Sequence, residues 1–252
     1  MSAAVYPSLK GRLVVVTGGG TGIGAAMTEG FARQGARVIF LDVAEEASKA
    51  LGASLSDCDL PPVFLPCNLL ELDVLLGRFA EIIAGYGPID VLVNNAANDD
   101  RHKLAEVTPA YWDDRIGVNL RHLYFAAQAV APGMRERGRG VILNLGSISW
   151  HLGLPDLSIY ETAKAGIEGM TRALARELGV DGVRVACIVP GNVKTPRQMK
   201  WYTPEDEAGI VDAQCLKGRI EPSDVAAMAL FLASDDARFI TGHEYFVDAG
   251  WR

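Results

Sequence analysis

Residues Leu13 to Asp42 read LVVVTGGGTGIGAAMTEGFARQGARVIFLD. LVVVT is a short unbroken apolar run, the mark of a strand buried on both faces. A glycine-rich turn follows, then a helical stretch from about Ile23 to Gln34 that Gly35 closes, then ARVIFLD as a second strand. Strand, helix and strand in that order make a crossover unit. The same alternation runs down the chain. A helix is read near Glu45 to Leu55, a strand over PVFLPCN, a helix from Glu71 to Ala84, and a fourth strand over IDVLVNNA from Ile89. Thr108 caps a long helix with Pro109 at its first position, where a missing N–H costs nothing. GVILNLGS from Gly140 is the fifth strand, Ser158 to about Leu178 a helix, VRVACIVP the sixth strand, Pro222 to Ala233 a helix and HEYFVDAG the last strand. Residues Gly191 to Gly218 are less regular and read as a mobile substrate lid.

These elements add up to an α/β chain: one Rossmann-type, three-layer domain over residues 1–252, with a doubly wound, mostly parallel seven-stranded sheet. Composition agrees. The chain has 252 residues, 49% of them apolar, enough for one well-buried core. A net charge of −7 with no basic block argues against nucleic acid or an anionic membrane as partner. No apolar run approaches a membrane span, and MSAAVYPSLKG lacks the charged start and apolar run of a signal peptide. Cys58, Cys67, Cys187 and Cys215 form no C-x-x-C pair and read as buried reduced thiols of a cytoplasmic protein. No His, Cys and carboxylate cluster has metal spacing, so no metal is expected.

Sites on open parallel sheets lie beyond the carboxyl ends of the strands. Thr17, Asp42, Asn68, Asn94, Asn95, Ser147 and Pro190 all fall at or just past such ends. In the turn from Thr17 to Gly24, glycines 18, 22 and 24 let the backbone bend, approach a pyrophosphate and pack the next helix, whose free N–H groups face the anion. The spacing, G-x-x-x-G-x-G, departs from the common dinucleotide fingerprint. Asp42 can accept both ribose hydroxyls of an adenosine and repel a 2′-phosphate; no cation stands in Val43-Ala44, so NAD is expected over NADP. A helix-capping role for Asp42 is the alternative. Asn68 can reach an adenine amino group. Asn95 and Ala96 can line the cofactor, and Asn94 can do the same or tie strands together.

The stretch SISWHLGLPDLSIYETAK, Ser147 to Lys164, carries a hydroxyl, a phenol at Tyr160 and an ammonium at Lys164. Tyr160 and Lys164, four apart, share one helix face. A cation close to a phenol favours the phenolate, which can then act as a general base near neutral pH.

The pieces TGGGTGIG, NNAA, Asn119, Ser147, YETAK and PGNVKT together resemble the short-chain dehydrogenase/reductase family over nearly the whole chain. Two departures stand out: Asn68 where the family often has Asp, and Ala97 where it usually has Gly. The resemblance implies a catalytic set of Asn119, Ser147, Tyr160 and Lys164. Tyr160 takes the proton, Lys164 lowers its pKa and binds the nicotinamide ribose, Ser147 holds the reacting oxygen, and Asn119 organises a water beside Lys164. It also implies cofactor contacts from Gly18, Thr21, Gly22, Ile23, Asp42, Asn68, Leu69, Asn95 and Ala96, and from Pro190, Gly191, Val193 and Thr195. NDDRHKLAEVT, GSISWHLGLPDL, KWYTPE and DAGWR are similar to the sugar 1-dehydrogenases within the family. That likeness implies oxidation of an aldopyranose, D-xylose first, at C1 to a lactone by a homotetramer. Another aldose, a carbonyl reductase, or a non-catalytic NAD- and sugar-binding regulator are the alternatives.

A sugar site needs several hydrogen-bonding groups and often an aromatic platform. Asn98, Ser147, Trp150, His151, Tyr160, Asn192, Trp201 and Tyr202 are the expected substrate contacts, with Arg101 in a loop able to close over them. Trp150 can equally anchor the core, and Trp201 can equally face a neighbouring subunit.

Overall fold

The computed structural model describes residues 4–200 and 202–251. Its strands are β1 (Leu13–Thr17), β2 (Arg37–Asp42), β3 (Val63–Pro66), β4 (Val91–Asn94), β5 (Gly140–Leu145), β6 (Val183–Pro190) and β7 (Glu244–Val247). They form one seven-stranded sheet in the order β3-β2-β1-β4-β5-β6-β7. Every pairing is parallel, so the sheet is parallel throughout rather than mostly so.

The helices are α1 (Gly22–Arg33), α2 (Glu45–Ser54), α3 (Leu72–Tyr86), α4 (Pro109–Ile116), α5 (His122–Glu136), α6 (Ser149–Leu152), α7 (Ser158–Gly179), α8 (Pro204–Ala213) and α9 (Pro222–Ala233). All five residues of β1 are buried. Val14 and Val16 face a core built on Met27, Phe31, Val225 and Leu230 of α1 and α9. Val15 faces the opposite core, with Leu75, Phe79, Val130 and Met134 of α3 and α5. Both faces are covered, which is why these strands read as unbroken apolar runs instead of alternating ones. Filling such a core matters: trimming Phe31 to Ala is expected to cost about 3–5 kcal/mol.

Three sequence readings need correction. The single long helix after Thr108 is interrupted: α4 and α5 flank a π-helical turn, Gly117–Arg121. The link from Ser147 to Tyr160 is not all loop, because α6 forms there and ends on Gly153, whose φ of 65° is a left-handed cap. The segment 191–218 is not irregular throughout. Thr203 and Asp206 make a reciprocal capping box that starts α8.

The chain order reverses between β1 and β4, which opens a crevice past their carboxyl ends. Register places Thr17 level with Asn94, and Asn94 level with Asn144. Asn94 Nδ2 donates to Asn144 Oδ1 at 3.0 Å, and Asn144 Nδ2 to Thr171 Oγ1 at 2.9 Å. Asn94 therefore ties strands and α7 together beneath the crevice, the second of its two readings.

Candidate active site

The glycine turn is held from outside. Asn95 donates from Nδ2 to the carbonyls of Thr17 and Gly18, at 3.0 and 2.8 Å, and from its backbone to Thr17 Oγ1 at 3.1 Å. Gly18 has φ +62°, and a Cβ on it would lie 2.8 Å from Ala96 Cα. A Cβ on Gly24 would lie 1.8 Å from the Gly18 carbonyl oxygen, so only glycine lets α1 start against the turn. Thr21 precedes α1, and Thr195 stands across the mouth, 3.4 Å from where a Cβ on Gly22 would lie. This narrow backbone cradle at a helix N-terminus suits a pyrophosphate.

Asp42 ends β2 and accepts from Gly20 N at 2.8 Å and Ala44 N at 2.9 Å, leaving lone pairs on both oxygens. Arg37, at the other end of the strand, lies over the Tyr86 ring, 5.8 Å from its centre. Asn68 bonds locally, to Glu71 Oε1 at 2.9 Å and from Leu70 N at 3.2 Å, and Leu69 is buried. The carboxylate and the cradle, with no cation bonded to Asp42 among the described residues, fit an adenosine diphosphate moiety with free ribose hydroxyls.

A cavity of about 200 Å³ opens beside the turn, lined by Ile23, Asn95, Ser147, Tyr160, Lys164 and Thr195 among others. Pro190, Gly191, Asn192 and Val193 line it from the end of β6, and Tyr202 from the turn before α8. Lys164 is buried, and its ammonium donates to the Leu145 carbonyl at 2.7 Å, 5.4 Å from the centre of the Tyr160 ring. Burial lowers its pKa to about 8, against smaller upward pulls from Cys187 and Asp99. Burial pushes the Tyr160 phenol well above its ordinary value, and Asp99 adds to this, while a bond with Ser147 and the charge of Arg197 pull it down. In the chain alone, dehydration of the phenolate outweighs the neighbouring charges. Ser147 Oγ shares a 2.8 Å bond with Ser149 Oγ and accepts from Ser149 N at 3.2 Å.

Asn119 sits fully buried in the π turn. Its Oδ1 accepts from Asn98 N at 2.8 Å, and its Nδ2 donates to Asn98 O at 2.9 Å. The side chain thus clamps the loop after β4. His122, next on the same face, holds the Ala96 carbonyl from Nε2 at 3.2 Å. Burial lowers its pKa to about 4, so the imidazole is neutral near pH 7.

The rim differs from expectation. Trp150 and His151 do not line the cavity. Trp150 Nε1 and His151 Nε2 both bond Glu168 Oε1, at 2.8 and 3.0 Å, and the imidazole packs edge-on against Phe246 of β7. Their bulk belongs behind the site because a buried carboxylate needs both donors. Asn98 is also absent from the lining; its Oδ1 accepts from Asp100 N and Arg197. Trp201 lies outside the described residues. Arg101 does line the cavity, near Pro155 O.

Asp99, Ser149, Gln198 and Trp251 line the cavity although they were not among the expected substrate contacts. Asp99 accepts from Gln198 Nε2 at 2.8 Å and pairs with Arg197 at 3.0 Å. Gln198 Oε1 accepts from Tyr202 OH, Tyr202 OH from Asn192 Nδ2, and Asn192 Oδ1 from Arg219, each at 2.9 Å. Arg219 in turn pairs with Glu207 of α8. This chain of bonds fastens the segment 191–218 to the loop after β4 and lines the mouth with polar groups.

Of the cysteines, Cys67 and Cys187 are buried, but Cys58 is half-buried and Cys215 exposed, bonded to Gly250 O. Among the described residues no helix is long and apolar enough to cross a membrane, and no cluster of metal-ligating side chains is found.

A family model described as enoyl-(acyl carrier protein) reductase matches residues 18–252. A D-xylose 1-dehydrogenase of Caulobacter vibrioides is 69% identical over 252 residues, 100% of this chain and of that one. A probable galactose dehydrogenase of Rhizobium meliloti is 44% identical, over 99% of this chain and 98% of its own length. A solved structure described as a short-chain dehydrogenase/reductase family protein superposes with a TM-score of 0.86 at 32% identity, covering 96% of this chain and 98% of its own. With these relatives, a nucleotide cradle at the sheet's switch point, and Ser147, Tyr160 and Lys164 around one cavity, the chain is an oxidoreductase that uses a nicotinamide cofactor, and it belongs to the short-chain dehydrogenase/reductase family.

Proposed function

We propose that this enzyme oxidises an aldopyranose, D-xylose first, at C1 to the aldonolactone with NAD. The observation that carries the substrate is the 69% identity, end to end, with a D-xylose 1-dehydrogenase. The rim supports it: Asp99, Asn192, Gln198 and Tyr202 offer acceptors and donors around the cavity mouth, which suits a polyol.

In this reading Gly18, Thr21, Gly22, Ile23 and Thr195 hold the pyrophosphate side of the cofactor, and Asp42, Asn68 and Leu69 the adenosine. Asn95, Ala96, Pro190, Gly191 and Val193 hold the nicotinamide side. Asp42 at the end of β2, with no cation beside it among the described residues, favours NAD over NADP. When bound, an oxidised nicotinamide supplies the hydride acceptor and a positive charge near the phenol. Tyr160 takes the proton of the anomeric hydroxyl. Ser147 donates to the same oxygen, where charge develops. Lys164, with a pKa of about 8, passes a proton toward solvent through a water at the Asn119 main chain.

The galactose relative favours a second aldose, D-galactose, in the same site. Initial rates with D-xylose, L-arabinose, D-galactose and simple ketones, each with NAD and NADP, separate the readings. Highest kcat/KM with D-xylose and NAD is expected. A ketone preference would sink the sugar assignment, and bound NAD without turnover would favour a non-catalytic regulator. The proposal includes a cytoplasmic homotetramer, checked by light scattering. Gly166 on α7 packs internally, its Cβ position 3.3 Å from Leu120, whereas Gly169 faces open space where another helix can approach.

A further inference from the structure

We propose that Glu168 is a positioning residue that sets the Ser147 hydroxyl by folding its turn around one buried carboxylate oxygen; this rests on the role given to Ser147 above. Glu168 follows Tyr160 and Lys164 along α7 at spacings of four, so the three share a face. Its side chain is only 8% exposed. Oε1 accepts from Trp150 Nε1 at 2.8 Å and from His151 Nε2 at 3.0 Å. A carboxylate only accepts here, so Nε2 carries the imidazole proton.

The same oxygen backs the residue before Ser147. A Cβ on Gly146 would lie 3.4 Å from Glu168 Oε1 and 3.0 Å from Cys187 Sγ, so the chain turns against this wall. From Gly146 to His151 the backbone wraps the carboxylate, with Ser147 on the cavity side and the indole and imidazole behind. Besides its bond with Tyr160, Ser147 is held by Ser149, the first residue of α6, through the 2.8 and 3.2 Å bonds between them. α6 has four residues, too few to hold a helical turn unaided. Ile148 N to Pro190 O, at 3.0 Å, anchors its start. Glu168 anchors its body. The two rings pack on each other, tilted by 35° with centroids 3.9 Å apart, so both donors meet the carboxylate from one side.

Loss of the carboxylate frees α6, and with it Ser149 and the Ser147 hydroxyl. Misplacing a catalytic group by about 1 Å costs on the order of 10- to 100-fold in rate. The test is a double-mutant cycle on the best aldose. Glu168→Ala should lower kcat by that factor with KM for NAD unchanged. Glu168→Gln, which keeps an acceptor oxygen, should stay within several-fold of the parent and also controls for folding. In a Ser147→Ala background, Glu168→Ala should cost almost nothing further, because the group it positions is gone. A full additional loss in that background, or Glu168→Ala within about twofold of the parent while Ser147→Ala is impaired, overturns this inference alone. Full activity in Ser147→Ala overturns the chemistry assigned to Ser147, and this inference with it.

Discussion

The Lys164 ammonium donates to the Leu145 carbonyl at 2.7 Å, joining α7 to the end of β5. That bond spends the lysine on the fold as well as on the chemistry, and it holds a cation in a site that burial disfavours. The folded pKa, about 8, lies below the ordinary 10.5. Between these values the unfolded chain binds the extra proton, so the lysine's contribution to stability rises with pH across that window.

Lys164→Met should therefore be at least as stable as the parent at pH 7. The burden removed is about 3 kcal/mol at most, less the lost hydrogen bond. By pH 10 the advantage should shrink. Urea midpoints at the two pH values check this; an advantage that grows with pH would refute it. Turnover should be lost at both.

Tyr160→Phe should bind NAD within a few-fold of the parent and lose at least about 10³ in kcat, the scale of a positioned general base. The neutral hydroxyl gives up one hydrogen bond, with Ser147, so thermal midpoints should change little. Near-parental turnover would end the proposed mechanism.

Asp42→Ala removes two backbone anchors and the ribose acceptor. KM for NAD should rise about tenfold, matching one charged hydrogen bond, and the preference for NAD over NADP should narrow. An unchanged ratio of kcat/KM for the two cofactors would show that Asp42 does not read the ribose.

His122 is buried with a pKa of about 4, against 6.5 unfolded. As pH falls through that window the unfolded chain protonates first, so stability is lost by up to about 3 kcal/mol. His122→Gln should flatten the slope of unfolding free energy between pH 6.5 and 4. A slope equal to the parent's would mean that other groups carry the acid sensitivity.

Much of the architecture was written in local pattern. Unbroken runs such as LVVVT and VRVACIVP, alternating with helical stretches, were enough to place all seven strands, because burial on both faces leaves few polar positions in the central ones. The boundaries moved where side chains intervene. β4 starts at Val91 rather than Ile89 because the Asp90 carboxylate takes Leu13 N and pairs with Arg137. The cavity's floor was legible for the same reason: Ser147, Tyr160 and Pro190 sit at element ends that hydrophobic period and glycine punctuation reveal.

What the sequence by itself determined is the order of elements, the glycine turn, the carboxylate ending β2 and the spacing that puts a phenol and an ammonium on one helix face. These depend on residues a few positions apart, so local stereochemistry decides them. The tertiary structure alone decided which way side chains turn once the elements meet. Trp150 and His151 turn from the cavity because Glu168, on another helix, leaves a buried oxygen that needs their protons. Asp99 and Gln198 line the mouth because residues 99 positions apart pair across it. Such choices are made by burial and hydrogen-bond satisfaction between segments distant in sequence, and no local pattern records them.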